Sequence, residues 1–260
     1  MFGGPAEYSD YAMERRLRLS GNSNRSKGGS MSTPESVITA VERHPKTASR
    51  YLIFVDGQYA FTVHEDVLIK HRLLRGEQVE PERLRLVMED EEQQKAWSEA
   101  LKQVGRRPRS EKEIRQYLKR KGYLPPLIDR IVQRLKDQRY LDDADFAAQW
   151  TEQRIYSQKK GRRLIKQELQ LKGVAPATIQ QTLNQVPVDE EQRLAFELAS
   201  KKWKVTSGDV MDKKRKTAAF LMRRGYSAQI VGNVIRKVTE TFREESEGTD
   251  DADLWDWPEA

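Results

Sequence analysis

The chain has 260 residues, of which 37% are hydrophobic and 33% charged, with a net charge of +7 and a pI near 9.4. This balance favours a polyanionic partner such as nucleic acid, an anionic membrane face or an acidic protein. No run approaches the roughly 20 apolar residues of a membrane span, no signal-peptide core opens the chain, and no cysteine is present for disulfides or thiolate chemistry. We therefore expect a cytoplasmic protein with no membrane partner.

The N-terminal part of the chain divides into an arm and a small module. Residues 1–34 are rich in Gly, Ser, Asn and Arg and lack apolar periodicity, which predicts a disordered arm. Residues 35–80 contain two β-type runs, 51–55 and 59–63, on either side of Asp56-Gly57. This dipeptide supplies the positive φ angles that a two-residue type I′ hairpin needs.

Two further elements are expected in this module. Residues 37–41 are β-branched in part and can add a third strand. A short helix from about Glu65 to Leu74 is expected to end at Gly76, because glycine commonly follows the last helical turn.

From Pro81 onward the sequence is helical in character and contains an internal repeat. Segments 110–135, 161–186 and 213–238 align on Gly122, Gly173 and Gly225. Each segment has leucine four residues before the glycine and aliphatic residues six, ten and thirteen after it. The matched residues are Leu118, Leu169, Leu221; Ile128, Ile179, Val231; Val132, Leu183, Ile235; Leu135, Val186, Val238.

This spacing predicts two helices on either side of each glycine, with an amphipathic helix upstream of each pair. Three stacked units bury the stripes that one unit leaves exposed. The fold class expected is mainly α, an elongated tandem repeat of three three-helix units behind a small N-terminal module that contains a β-hairpin. The expected boundaries of the units are 81–140, 141–188 and 189–240.

Basic residues cluster before or on the middle helix of each unit, which predicts a periodic cationic ridge able to neutralise phosphates along a polymer. A solvated helix face is the alternative interpretation of any one charge run. The candidate contact residues are Arg106, Arg107, Arg109, Arg154, Lys159, Lys160, Arg162, Arg163, Lys213, Lys214, Arg215 and Lys216.

The C-terminal segment 241–260 reverses the sign of the charge. Nine acids and one arginine lie between Glu240 and Ala260, together with Trp255 and Trp257, and this composition predicts a disordered tail. The tail is either a solubilising segment or an intramolecular decoy that competes for the basic ridge.

Residue patterns typical of catalysis or metal binding are missing. The three histidines, at 44, 64 and 71, have no i,i+4 partner and no cysteine to complete a metal site. Asp142-Asp143 is better explained by helix capping than by acid–base or metal chemistry. The tryptophans at 97, 150 and 203 recur in the first helix of each unit and are expected in the core. We expect neither an enzyme nor a bound cofactor or metal.

Several of these residues together resemble the RecX family, whose members regulate the RecA recombinase. The resemblance runs from about residue 37 to residue 238, and the third repeat departs from it where Thr217 replaces the isoleucine of the other two. The residues that carry it are Arg107-Pro108-Arg109-Ser110-Glu111, Ile114, Leu118, Leu141-Asp142-Asp143, Phe146-Ala147, Arg154, Gly161-Arg162, Ile165, Glu168-Leu169 and Lys172-Gly173.

The resemblance implies a protein that lies along the helical groove of the RecA–DNA filament. Such a protein restrains ATP hydrolysis, strand exchange and coprotease activity, and it favours net disassembly of the filament. We expect a monomer that also binds single- and double-stranded DNA weakly and without sequence specificity.

Two other classes of function remain open at the level of the sequence. Three-helix units can act as helix-turn-helix modules of a DNA-binding transcription regulator, which would retard one promoter fragment in the absence of RecA. A helical scaffold that binds only protein would be insensitive to salt and to added nucleic acid.

Overall fold

The computed structural model describes residues 36–247, with side chains described as far as residue 244. The predicted arm 1–34 and residues 248–260 of the predicted tail lie outside this range. No helix within residues 36–247 combines the length and the apolar character that crossing a bilayer requires.

The N-terminal module is a four-stranded antiparallel sheet in the order β3-β2-β1-β4. Its strands are β1 Ser36–Arg43, β2 Arg50–Val55, β3 Gln58–His64 and β4 Gln78–Val79. Asp56 has φ 50° and Gly57 has φ 77°, so the predicted hairpin and its turn are confirmed. Strand β4 is new, because two residues are too short to produce a pattern in the sequence.

The short helix after β3 is shorter than predicted. Helix α1 covers Glu65–Lys70 and ends at His71, and Arg72 then adopts a positive φ of 47°. The expected terminator, Gly76, has a φ of 91° but serves another purpose: its N–H donates to the carbonyl of Ile38 at 2.8 Å. This glycine therefore turns the chain toward β4 instead of ending the helix.

Helix α2, Pro81–Val104, connects the sheet to the first helical unit. Its first half contributes Val87 to the core of the sheet module, and its second half contributes Trp97 to the core of the unit. Between them lies Glu91, which is only 6% exposed. Its carboxylate pairs with Arg50 and accepts a hydrogen bond from the backbone N–H of His64 at 2.7 Å, so the buried charge has partners.

Three units of three helices follow, as the repeat predicts. Unit 1 is α2, α3 Glu111–Arg120 and α4 Pro125–Asp137; unit 2 is α5 Asp143–Glu152, α6 Arg162–Leu171 and α7 Pro176–Asn184; unit 3 is α8 Val188–Lys204, α9 Val210–Arg223 and α10 Ala228–Glu247. In unit 2 a π-helical turn, Gln153–Ser157, extends α5. Gly122, Gly173 and Gly225 have φ of 92°, 85° and 92° after the middle helices, which confirms the predicted left-handed ends.

Most of the matched apolar positions lie in the core of their unit, and Val186 and Ile235 pack against it while only partly buried. Leu118, Leu169 and Leu221 are all fully buried. Trp97 and Trp203 are buried as predicted, whereas Trp150 is only partly buried. The third repeat differs at Thr217, which is fully buried at the place of two isoleucines, and its Oγ1 has no hydrogen-bond partner among the described residues.

The last helix extends further than the charge pattern suggests. Residues 241–247 were predicted to belong to a disordered tail, but α10 continues to Glu247. The reason is Phe242, whose ring stacks on Trp203 with centroids 6.4 Å apart. An apolar anchor therefore holds an acidic stretch in the helix.

We predict that Thr217→Val raises the free energy of unfolding by about 1 kcal/mol, because the substitution removes a buried hydroxyl without a partner and keeps the side-chain shape. Urea unfolding of the full chain measures this. Thr206→Val is the matched control: Thr206 is also buried but donates to the carbonyl of Lys202 at 2.6 Å, and its loss should destabilise the protein. Equal effects of the two substitutions would contradict the explanation.

Candidate polyanion-binding interface

Consecutive units meet through a recurring joint, in which the start of one middle helix lies against the glycine turn of the next unit. At the first joint Ser110 Oγ donates to the carbonyl of Lys172 at 2.7 Å. Lys112 Nζ donates to the carbonyl of Leu171 at 3.0 Å, and Lys172 Nζ pairs with Glu113 Oε1 at 2.7 Å. These contacts connect α3 of unit 1 with the end of α6 in unit 2.

The second joint repeats this arrangement between units 2 and 3. The N–H of Gly161 donates to the carbonyl of Arg224 at 2.9 Å, and the Arg224 guanidinium donates to the carbonyl of Gln158 at 2.6 Å. A Cβ at Gly161 would lie 2.4 Å from the backbone of Gly225. The two backbones therefore approach more closely than any side chain at Gly161 allows.

An acid from the following unit caps the middle helix at both joints. Asp143 Oδ1 accepts from the backbone N–H of Glu111 at 2.9 Å, and Glu191 Oε1 accepts from the N–H of Arg162 at 3.0 Å. The two capped residues each lie eleven positions before the glycine of their own unit. The expected N-cap role of Asp142 is confirmed, since its side chain accepts from Ala144 N at 2.7 Å.

The predicted cations of unit 1 lie in the loop between α2 and α3. Arg106 is exposed and forms no ion pair among the described residues. Arg107 pairs with Glu113 at 3.0 Å, and Arg109 donates to Gln103 Oε1 at 3.0 Å. Only the first of these three cations is therefore free of protein partners.

Four of the predicted cations in unit 2 are engaged within the protein. Arg154 and Lys160 both pair with Glu168, at 2.9 Å and 2.6 Å. Arg154 also stacks on Trp150, with its Cζ 3.9 Å from the ring centroid, and the indole N–H donates to Glu168 at 2.9 Å. Burial raises the pKa of Glu168, but the three hydrogen bonds, from Lys160, Arg154 and Trp150, outweigh it and hold the pKa below its ordinary value.

The remaining predicted cations of unit 2 include both paired and unpaired side chains. Lys159 pairs with Glu197, and Arg162 Nε lies 2.9 Å from Glu191 Oε2. Arg163 is exposed, and its guanidinium has no partner within residues 36–247. Four cations of this cluster thus hold acids in place, and one faces solvent.

The predicted cations of unit 3 lie on the first turns of α9. Arg215 pairs with Asp212 at 2.9 Å, and Lys216 donates to the carbonyl of Ser207 at 3.1 Å. Lys213 lies over the ring of Trp203, with its Nζ 5.9 Å from the centroid. For Lys214 the described part of the chain offers no ion-pair partner.

Two repeat positions carry a basic residue in every unit. This regularity is not visible when each basic cluster is considered alone. They lie ten residues and one residue before the glycine; the residues are Lys112, Arg163, Arg215 and Lys121, Lys172, Arg224. At the second position Lys172 and Arg224 both bind the preceding unit. A fixed offset from the glycine could have identified these residues as part of the joints.

A basic cleft of about 620 Å³ opens beside the second joint, and no pattern in the sequence indicates it. Its three cations come from both units, and two apolar and two uncharged polar residues complete its lining. The lining residues are Ser157, Gln158, Lys160, Leu164, Phe220, Arg223 and Arg224. Among the described residues, no group of three or more His, Cys, Asp or Glu side chains is placed to hold a metal ion.

Four models of known protein families match most of the described chain. Residues 36–80 match the description "Regulatory protein RecX N-terminal domain". Residues 96–135, 142–183 and 189–235 match the first, second and third three-helix domains of RecX.

Individual relatives agree with these matches. Regulatory protein RecX of Halalkalibacterium halodurans is 33% identical over 217 residues, which cover 82% of each chain, and that of Bacillus subtilis is 29% identical over 81% of this chain and 80% of the relative. A crystal structure of regulatory protein RecX superposes with a TM-score of 0.63 at 28% identity, over 76% of this chain and 98% of the other. RecX from Lactobacillus salivarius, at 21% identity and a TM-score of 0.54 over 56% of this chain and 96% of its own, shares the fold.

We predict that Gly161→Ala lowers the free energy of unfolding by about 2 kcal/mol, because the added Cβ forces apart the backbones of units 2 and 3. Gly161 has an ordinary φ of −76°, so conformational strain contributes nothing. Gly232→Ala, in the open interior of α10, is the control and should stabilise the protein slightly. A Gly161→Ala protein as stable as the parent would show that the contact is not tight.

A second prediction concerns pH. Burial raises the pKa of Glu113, but hydrogen bonds from Arg107, Lys172 and the Ser110 backbone outweigh it and lower the pKa to about 2. Because the folded-state pKa lies below the ordinary value of 4.5, the stabilisation is present above that value and is lost as pH falls toward about 2. The stability difference between the parent and Glu113→Gln should therefore shrink over this range in urea unfolding series. Glu82→Gln, at an acid with its side chain 82% exposed, should show no such trend.

Proposed function

The chain belongs to the RecX family of regulatory proteins, and from this membership we propose that it binds the RecA–DNA filament and inhibits the ATPase, strand-exchange and coprotease activities of RecA. In the cell this activity would modulate DNA repair and homologous recombination, including the SOS response, in the cytoplasm. The protein acts as a monomer without cofactor or metal. It contacts its partner through the start of each middle helix.

The observation that supports this proposal is a cation near the start of the middle helix in every unit that has no ion-pair partner within residues 36–247. Arg106, Arg163 and Lys214 occupy these places. A cation already paired with a carboxylate gains less from a phosphate than a solvated one, because the existing ion pair must first be broken. We therefore assign the filament contact chiefly to these three residues and a supporting role to the paired members of each cluster.

The same arrangement supports the further proposal that this chain binds DNA weakly and without sequence specificity. Cations spaced along a repeat neutralise phosphates, and phosphate contacts fix position without reading bases. We infer that single- and double-stranded DNA are both bound in this way, with an affinity that falls steeply as salt is raised. The units, with boundaries near residues 81–140, 141–188 and 189–240, each contribute one such group of contacts.

We predict that Arg106→Glu combined with Arg163→Glu weakens inhibition of single-stranded-DNA-dependent ATP hydrolysis by the cognate RecA at least tenfold, at unchanged protein stability. Each replacement removes a phosphate contact and adds a repelling charge. The control is Lys46→Glu with Arg75→Glu, which changes the net charge equally at exposed cations of the N-terminal module. Retained inhibition by the first variant, or equal loss in both, would refute a role for these two residues.

Arg162 requires separate treatment in such experiments. Its side chain pairs with Glu191, an acid that is only 5% exposed, and its own backbone N–H is capped by the same carboxylate. Arg162→Glu would place two acids together at the second joint, so a loss of inhibition would report damage to the joint. Arg163, one residue later and exposed, tests the surface without this complication.

A further inference from the structure

Unit 3 leaves an apolar surface uncovered at the start of its middle helix. Val205, at the C-terminal end of α8, and Val210 and Met211, the first two residues of α9, are 77%, 53% and 71% exposed. We call these three residues the end face. Several exposed apolar residues within one short stretch of chain are typical of a binding surface.

The end face adjoins the repeat positions that form the joints in units 1 and 2. There the start of the middle helix contacts the glycine turn of the following unit, through Lys172 at the first joint and Gly225 at the second. Within residues 36–247 no further unit covers the start of α9. The end face therefore borders the place at which a further layer of the structure would lie.

Positive charge surrounds this surface. Lys213 lies over the ring of Trp203, and Lys204 lies over the ring of Phe242 at 5.4 Å. The stretch from Lys201 to Lys216 holds seven basic residues and two acids. An occupant that fits must therefore combine apolar side chains with negative charge.

The segment of this chain that follows α10 has this composition. Leu254, Trp255 and Trp257 stand among five acids in residues 248–260. Because Phe242 stacks on Trp203, the helix ends beside the end of α8, where the end face begins. Seven residues beyond Glu247 span up to roughly 23 Å when extended, which is ample for Leu254 to reach the face.

We propose that residues 248–260 bind intramolecularly to the end face, with Trp255 and Trp257 against Val205, Val210 and Met211 and the acids toward the surrounding lysines. The tail then takes the place that a following unit has in units 1 and 2. It also brings the acids of the tail next to Lys213–Lys216. Binding of the tail to the end face does not depend on whether RecA is the partner of this chain.

Fluorine NMR of the full chain labelled with 5-fluorotryptophan tests the proposal, since Trp255→Phe and Trp257→Phe assign the two tail signals. A synthetic peptide of residues 248–260 gives the fluorine chemical shifts of the free tail, which we call the peptide positions. We expect the signals of Trp255 and Trp257 to be displaced from the peptide positions in the full chain. Val205→Ser with Val210→Ser and Met211→Ser should return them to those positions, while the signals of Trp97 and Trp150 remain as in the folded protein.

A matched control separates the end face from exposed apolar residues elsewhere. Leu171 and Val188 are 76% and 52% exposed, and Leu171→Ser with Val188→Ser should leave the tail signals displaced. Tail signals at the peptide positions in the parent chain would overturn the proposal, as would displaced signals that the end-face substitutions do not move. Signals that return to the peptide positions on tenfold dilution would show binding to a second copy and overturn it equally.

Discussion

The structure depends on one recurring contact, in which the middle helix of unit 1 or unit 2 packs against the glycine turn of the next unit. The first N–H groups of a helix have no partner within it, and burying them without one is costly. Here Asp143 and Glu191, which belong to the following unit, accept hydrogen bonds from these N–H groups. Hydrogen bonding and close backbone approach at Gly161 thus fix the units relative to one another, where apolar contact alone would allow them to slide.

This contact gives some of the basic residues a structural role. A joint that brings acids such as Glu191 to a helix start also needs cations to balance them, and Arg162 supplies that balance at the second joint. Some of the repeated positive charge is therefore structural, and it recurs because the joint recurs. Arg163, which has no ion-pair partner among the described residues, lies beside the second joint and is held in place by it. Its position on the surface therefore follows from the packing of the units.

The sequence predicts the units well because their signals are local. A glycine with positive φ and an apolar stripe on each side define a helix pair whatever surrounds it, as Gly122 and Leu118 show. Partners across the joints could not be predicted, because nothing in the composition links Ser110 to Lys172, 62 residues away. For the same reason the charge pattern alone could not separate Arg162 from Arg163. The extent of α10 was missed because one stacked ring, Phe242, outweighs an acidic surrounding.

Unit 3 departs from the pattern of the other two units. Its middle helix begins earlier relative to the glycine, at Val210, and its first two residues, Val210 and Met211, are exposed and apolar. It also places Thr217, whose buried hydroxyl has no partner among the described residues, where the other units have isoleucine. In a stacked repeat each unit is stabilised by its neighbours, and within residues 36–247 no unit follows unit 3. Unit 3 therefore gains most from an additional layer, and the acidic tryptophan-containing segment after α10 has the composition to supply one.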